Sequence, residues 1–298
     1  ADVDFVDIDP VTYNMSIDSL ESKLEVANLN RKLPKVVIPV HLSGQSCDMQ
    51  KIKSLSLKYG FKIIEDASHA IGGEYLGNKI GSCEFSDITV FSFHPVKIIT
   101  TCEGGVCMTN NSELFESICN KRSHGILRSN YDFKNKSDGG WYYEQQSLGF
   151  NYRLNDLQSA LGISQLKRID EFIKQRNDIA KKYNQLFESV EGITTPKINN
   201  NCLSSYHLYI IRVDQNKLEG RNLIFEKLRN NGILVNIHYI PIYRHPYYEN
   251  DYDKENFINS EKYYSDALSL PIYPGLSENQ INEICNIIIK KTNFQNLF

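Results

Sequence analysis

Two side chains of opposite charge stand at the ends of apolar runs. Asp66 closes FKIIED, and Lys97 follows FSFHP in the stretch FSFHPVKIITTCEGGVCMTN, residues 91–110. A carboxylate at the carboxyl end of a hydrophobic strand is desolvated, which raises its pKa unless a cation faces it. A lysine in apolar surroundings moves down from about 10.4, at about 1.36 kcal/mol per unit, and becomes a usable base or nucleophile. Taken singly, Asp66 reads as well as a cap on the turn into ASHAIGG, and Lys97 as a solvated loop lysine. Taken together they suit pyridoxal phosphate, the acid keeping the pyridine nitrogen protonated while the amine joins the aldehyde as a Schiff base. Gly104 and Gly105, behind Lys97, would then let the backbone approach a bulky ligand.

Such a pair needs a scaffold that delivers strand ends to one place. The first half alternates apolar runs with helical patterns: DVDFVDI, a helix near 18–30 with an Asp18–Glu21 capping box, KVVIPVHL, a helix near 48–59 closed by Gly60, then FKIIEDA, ITVFSFH and GGVCMT. This order predicts an α/β fold, a mainly parallel sheet flanked by helices, with ligands outside the carboxyl ends of the strands. NDLQSALGISQLKRIDEFIKQRNDIAKKYNQLF keeps apolar residues close to a 3.6 period behind an Asn155–Gln158 cap and predicts one long helix. SYHLYIIRV, a helix near 220–230, GILVNIHYIP and a last helix from about 277 to 293 predict a smaller α+β domain. The expected division is therefore a large domain over 1–188 and a small one over 189–298. SNYDFKNKSDGG, residues 129–140, reads as a mobile loop.

Composition narrows the function classes. A chain of 298 residues, 41% hydrophobic, with 33 Lys and Arg against 36 Asp and Glu, is an ordinary globular protein with no basic field for nucleic acid. It has no apolar run of about 18 residues, so no membrane partner is expected. Seven cysteines at irregular spacing predict no disulfide framework and no zinc site, and point to a reducing compartment, the cytoplasm. No GxGxxG follows a strand, which sets aside a dinucleotide-binding protein.

EDASHAIGG, SFHPVK with EGG behind it, and LGFNYRLNDLQSALG resemble the signatures of the DegT/DnrJ/EryC1/StrS sugar aminotransferases, fold-type-I pyridoxal phosphate enzymes. The resemblance runs on through HLYII, NIHYIPIY and SLPIYPGLS. It implies that Lys97 is the Schiff-base lysine and then the acid and base of the proton shift, and that Asp66 pairs with the pyridine nitrogen. It places His69 near the cofactor's phenolic oxygen and Ser92 on its phosphate. Asn151 would reach the phosphate bound by a neighbouring subunit, which implies a homodimer with shared sites. Arg153, His238 and Tyr239 fall where such enzymes contact substrate, although histidine and tyrosine in a strand are also ordinary core residues. SFHPVK, RSHGI and NIHYIPIY are most similar to members that move the amino group of L-glutamate onto C4 of a UDP-4-keto-6-deoxy-N-acetylhexosamine. The product would be UDP-4-amino-4,6-dideoxy-N-acetyl-β-L-altrosamine, for pseudaminic acid synthesis.

Two departures carry expectations. Cys102 stands where relatives commonly have a small residue, often glycine. The chain opens at Ala1, inside a strand-like run, without the family's N-terminal segment and its phosphate-binding helix start, so weak cofactor binding by this chain alone is expected. Two rival readings are a sugar 3-dehydratase, which carries histidine in place of the lysine and is disfavoured by Lys97, and a remnant that has lost its chemistry.

Overall fold

A computed structural model of the chain describes residues 2–128, 133–248 and 251–290. It runs through α1 (Ile17–Leu29), β1 (Val36–Val37), α2 (Met49–Tyr59), β2 (Lys62–Asp66), β3 (Glu74–Tyr75), β4 (Asn78–Lys79), β5 (Ile88–Ser92), β6 (Gly105–Met108) and α3 (Ser112–Arg122). There follow β7 (Ile126–Leu127), β8 (Glu144–Gln145), α4 (Asp156–Leu166), α5 (Ile169–Phe187), β9 (Ile193–Thr194), β10 (Cys202–Leu203) and β11 (Tyr209–Val213). The remainder is α6 (Arg221–Asn230), α7 (Ile258–Asp266), β12 (Ala267–Leu270) and α8 (Glu278–Ile289).

The α/β expectation is met. One sheet has the order β1-β2-β5-β6, its first three strands parallel and β6 antiparallel. Side chains alternate across the pleat, so Ile63, Glu65, Thr89 and Phe91 are buried on one face while Asp66, Val90 and Ser92 share the other. The buried face packs on α1 and α2 through Leu20, Leu24, Ile52 and Leu55. Glu65 lies within it, accepting hydrogen bonds from Ser86, Thr89 at 2.9 Å and His41 at 2.7 Å. Burial pushes its carboxyl pKa up, but the His41, Ser86 and Thr89 contacts outweigh that and hold it below the usual range. A second core joins the end of α5, through Tyr183 and Phe187, to β11, β12, α6 and α8.

Local chemistry accounts for the caps. Asn155 and Gln158 form the expected reciprocal box at α4, and Gly60 closes α2 in the left-handed region at φ 82°. At α1 the Asp18–Glu21 expectation is corrected: Ser16 is the cap, its hydroxyl accepting from the Ser19 amide at 3.2 Å. The opening run DVDFVDI is not a strand but carries a lone bridge, Ile8 to Met15. Its aspartates turn back on their own backbone, Asp4 on the Phe5 amide at 2.8 Å and Asp7 on the Ile8 amide at 2.9 Å, in competition with a strand ladder.

Two longer elements also differ. The single helix expected over 155–187 is two helices broken at Lys167–Arg168, where the Lys167 amide is shared between the Ile163 and Gln165 carbonyls. The apolar period survives this turn, but α4 buries none of its residues whereas α5 buries Ile173, Ile179, Tyr183 and Phe187. GILVNIHYIP makes only the bridge Asn236 to Ser269, and further along the His238 carbonyl accepts from the Tyr263 hydroxyl at 2.6 Å rather than from a strand amide. Residues 129–132 of the expected loop and 291–293 of the last helix lie outside the described residues.

Cys102 has φ 66°, which explains the preference for glycine there. Cys102→Gly is expected to stabilise the protein by up to about 1 kcal/mol, relief of the left-handed strain being offset in part by glycine's greater unfolded-state freedom. A thermal midpoint raised by roughly 1–2 °C would report this, and a lower midpoint would contradict it.

Candidate active site

The hairpin between β5 and β6 answers why Lys97 sits where it does. Its loop is closed at the base by the Phe93 amide on Gly104 and by the Thr101 amide on Phe93, at 2.9 and 3.0 Å. Ile98 and Ile99 are buried against Ile173 of α5 and pin the far side, at about 1.5–3 kcal/mol for each buried side chain. Val96 is left exposed, and Lys97, between Val96 and Ile98, is half-buried. Gly104 and Gly105 are needed by the hairpin itself: a Cβ at Gly105 would meet the Phe91 carbonyl at 2.7 Å, and one at Gly104 the Thr101 hydroxyl at 2.4 Å.

Asp66 is fixed by its backbone. Its amide donates to Pro39 at 2.9 Å and its carbonyl accepts from His41 at 3.0 Å, so the strand end is clamped on the β1 side. One carboxylate oxygen caps the turn through the Ser68 amide at 3.0 Å, so the plain turn-capping role is real. The same carboxylate also acts on Lys97. Burial lowers the Lys97 pKa below the ordinary lysine value, and the Asp66 charge opposes that fall. Among the described residues no direct ion pair joins the two. They stand in one another's field without contact, which is what a ring gripped at both ends requires.

His69, on the turn after β2, is buried. Its Nδ1 accepts from the Ser43 amide at 3.4 Å, which assigns the ring proton to Nε2, 3.2 Å from the Tyr239 hydroxyl. Burial and the Lys97 charge pull its pKa down to about 3, with Asp66 opposing and His238 adding to the fall. His238 is lowered by burial and Lys97, and its Nδ1 lies 2.7 Å from the Ser269 hydroxyl. The Tyr239 phenol is raised by burial and Asp66. Five of the residues singled out from sequence, Asp66, His69, Lys97, His238 and Tyr239, therefore share one electrostatic neighbourhood. Ser92 is at the end of β5 on the same sheet face as Asp66. Asn151 and Arg153 are not brought to this pocket; both are exposed on the segment leading into α4.

Three contributors escaped the sequence reading. His207 is buried with its ring 4.3 Å from that of His69. Ser205 donates to the His69 carbonyl at 2.7 Å, which is possible because Gly44, at φ 106°, has no Cβ to collide with the Ser205 hydroxyl. Arg176 of α5, also buried, donates to the carbonyls of Tyr206 and Ile272 at 2.9 Å each and to that of His207. The available signals were a histidine between SSY and LYII, and an arginine on the apolar stripe of a helix.

A half-buried lysine, a strand-end aspartate and neutral imidazoles at the carboxyl ends of a parallel sheet define a fold-type-I pyridoxal phosphate enzyme, and the residues present fit that cofactor. The chain belongs to the DegT/DnrJ/EryC1/StrS aminotransferase family, which its residues 1–289 match. It is similar to the UDP-4-amino-4,6-dideoxy-N-acetyl-beta-L-altrosamine transaminase of Campylobacter jejuni, with 38% identity over 278 residues, 93% of this chain and 70% of that protein. It is 37% identical over 288 residues to the spore coat polysaccharide biosynthesis protein SpsC of Bacillus subtilis, covering 95% of this chain and 72% of that protein. Among solved structures, PseC of Helicobacter pylori, an aminotransferase of pseudoaminic acid biosynthesis, superposes with a TM-score of 0.84 at 33% identity, over 96% of this chain and 72% of that one. The chain is thus a sugar aminotransferase by family, with pyridoxal phosphate as the family's cofactor. No helix among the described residues is long and apolar enough to cross a membrane.

Proposed function

We propose that the protein transfers the amino group of L-glutamate onto C4 of a UDP-4-keto-6-deoxy-N-acetylhexosamine, forming UDP-4-amino-4,6-dideoxy-N-acetyl-β-L-altrosamine. The observation that carries the reaction class is the half-buried Lys97 amine, lowered by burial and held in the field of Asp66 without an ion pair. The likeness to transaminases of that name supports the choice of sugar.

When bound, pyridoxal phosphate supplies an electron sink for the carbon that loses or gains nitrogen. The chain's own residues do the rest. Asp66 offers a fixed negative charge to the pyridine nitrogen. Lys97, deprotonated more readily than a free lysine, would hold the cofactor and serve as the base and acid of the proton shift. His69 stays neutral and presents Nε2–H toward Tyr239 and the ring's phenolic side. Ser92 would offer a hydroxyl to the phosphate and His238 and Tyr239 would contact the sugar nucleotide, while Arg153, exposed beside Asn151, would reach it from a second copy of the chain.

The proposal includes a homodimer. The segment ahead of and along α4 exposes Trp141, Leu148, Tyr152 and Leu157 at 76, 81, 72 and 84%. So much apolar surface in one stretch suits a second copy of the chain. Gln158 in this strip donates to the Glu103 carbonyl at 2.9 Å, so the strip adjoins the Lys97 hairpin and would bring Asn151 toward the partner's phosphate site. The division into domains at 188 belongs to the same proposal. So does a cytoplasmic location, which the seven free cysteines support.

A panel assay tests the substrate. The protein is incubated with pyridoxal phosphate, L-glutamate and several UDP- and GDP-linked 4-keto sugars, and 2-oxoglutarate is measured. Highest kcat/KM with the UDP-4-keto-6-deoxy-N-acetylhexosamine is expected. Preference for a GDP sugar, or amination at C3, would overturn the assignment while leaving the reaction class standing.

A further inference from the structure

We propose that His207 is a positioning residue for amino transfer: its ring is the platform that fixes the plane and the tautomer of His69 against the Tyr239 hydroxyl. This rests on reading Lys97 as the amine that holds the cofactor.

The two imidazoles are in close tilted contact, with centroids 4.3 Å apart and 40° between the ring planes. The Tyr239 ring stands 6.1 Å from His69 at 27°, so the His69 ring is flanked by two others. His207 is itself held from behind. Arg176 bonds its carbonyl, and β11 starts two residues later. The Ser205 bond to the His69 carbonyl ties the same short segment to the turn that carries His69. His207 and His69 are therefore fixed relative to each other by backbone as well as by ring contact.

The Nδ1 of His207 is buried with no hydrogen-bond partner among the described residues, and it is the ring that meets His69. A platform of this kind matters because, among the described residues, His69 has one weak bond, from the Ser43 amide, to choose its tautomer, the Tyr239 hydroxyl being able to serve either form. If its ring rotated, Nε2 would no longer point at the Tyr239 hydroxyl. The groups that face His69 are Asp66, Lys97, His207, His238 and Tyr239, and Arg176 lies behind His207. His207 also keeps water from the His69 face, in accord with a ring that stays neutral over the working range.

The test compares the protein loaded with pyridoxal phosphate, His207→Ala and His207→Phe. Side-chain 15N shifts of His69 are followed from pH 5 to 8, together with the visible absorbance of the bound cofactor and steady-state kinetics. In the parent protein His69 should remain in the Nε2–H form throughout. In His207→Ala it should show mixed tautomers and begin to titrate within that range, with kcat lowered about tenfold or more and sugar KM within about twofold. His207→Phe keeps a ring face and omits both ring nitrogens, so it should restore the single tautomer and most of the lost kcat. An unchanged His69 in the alanine variant, or a phenylalanine variant no better than alanine, overturns the proposal. Lys97→Ala separates the two levels: cofactor absorbance that does not respond to it would sink the reading of the site, whereas the His69 shifts judge the platform on their own.

Discussion

Lys97→Ala is expected to abolish amino transfer, with a loss of more than about 10^4-fold, while the thermal midpoint stays within about 1 °C of the parent protein. The loss would be large because, in the proposed role, one amine both holds the cofactor and moves the proton. The fold is spared because the hairpin is held by Ile98 and Ile99 and by the backbone bonds of Phe93, none of which involves the Lys97 side chain. Turnover with glutamate and calorimetry on the same sample decide it. Retained turnover would remove Lys97 from its role.

The second large effect is loss of stability in mild acid. His69 and His207 have folded-state pKa values of about 3 and about 2, both depressed mainly by burial, against about 6.5 in an unfolded chain. Below that unfolded value the unfolded chain binds protons that the folded chain does not, so unfolding becomes easier as pH falls and the folded state is favoured again as pH rises. Between pH 7 and 5 each histidine costs about 2 kcal/mol, and His238 adds in the same direction. Carboxylates such as Glu65, held below their usual range, act only at lower pH. Denaturant titrations at pH 5, 6 and 7 should show the slope, and the double variant His69→Gln, His207→Gln should flatten it even if it is less stable overall. A slope that the double variant leaves untouched would assign the acid sensitivity elsewhere.

How much of this was legible in sequence depended on whether a local signal existed. Strand ends and caps are local: FKIIED placed Asp66 correctly, Gly60 announced its turn, and Asn155 with Gln158 announced α4. The opening DVDFVDI misled because alternation of apolar and acidic residues looks like a strand, while aspartate side chains can bond their own backbone and prevent it. The break at Lys167 was invisible since a two-residue turn does not disturb an apolar period. Within the site, Asp66 and Lys97 were readable as misfits, a charge at the edge of an apolar run. His207 was not, because its role lies in a contact with His69, far away in sequence, and in burial that no neighbouring residue announces. Arg176 was hidden in the same way, its partners being main-chain carbonyls.

Helix α5 belongs to both halves of the molecule. Its first turns bear on the Lys97 hairpin through Ile169 and Ile173, and its last turns lie in the C-terminal core through Tyr183 and Phe187. A rod of this kind, about 28 Å long, gives the two clusters one continuous support, so the packing beside the amine and the packing of the C-terminal core share a single backbone.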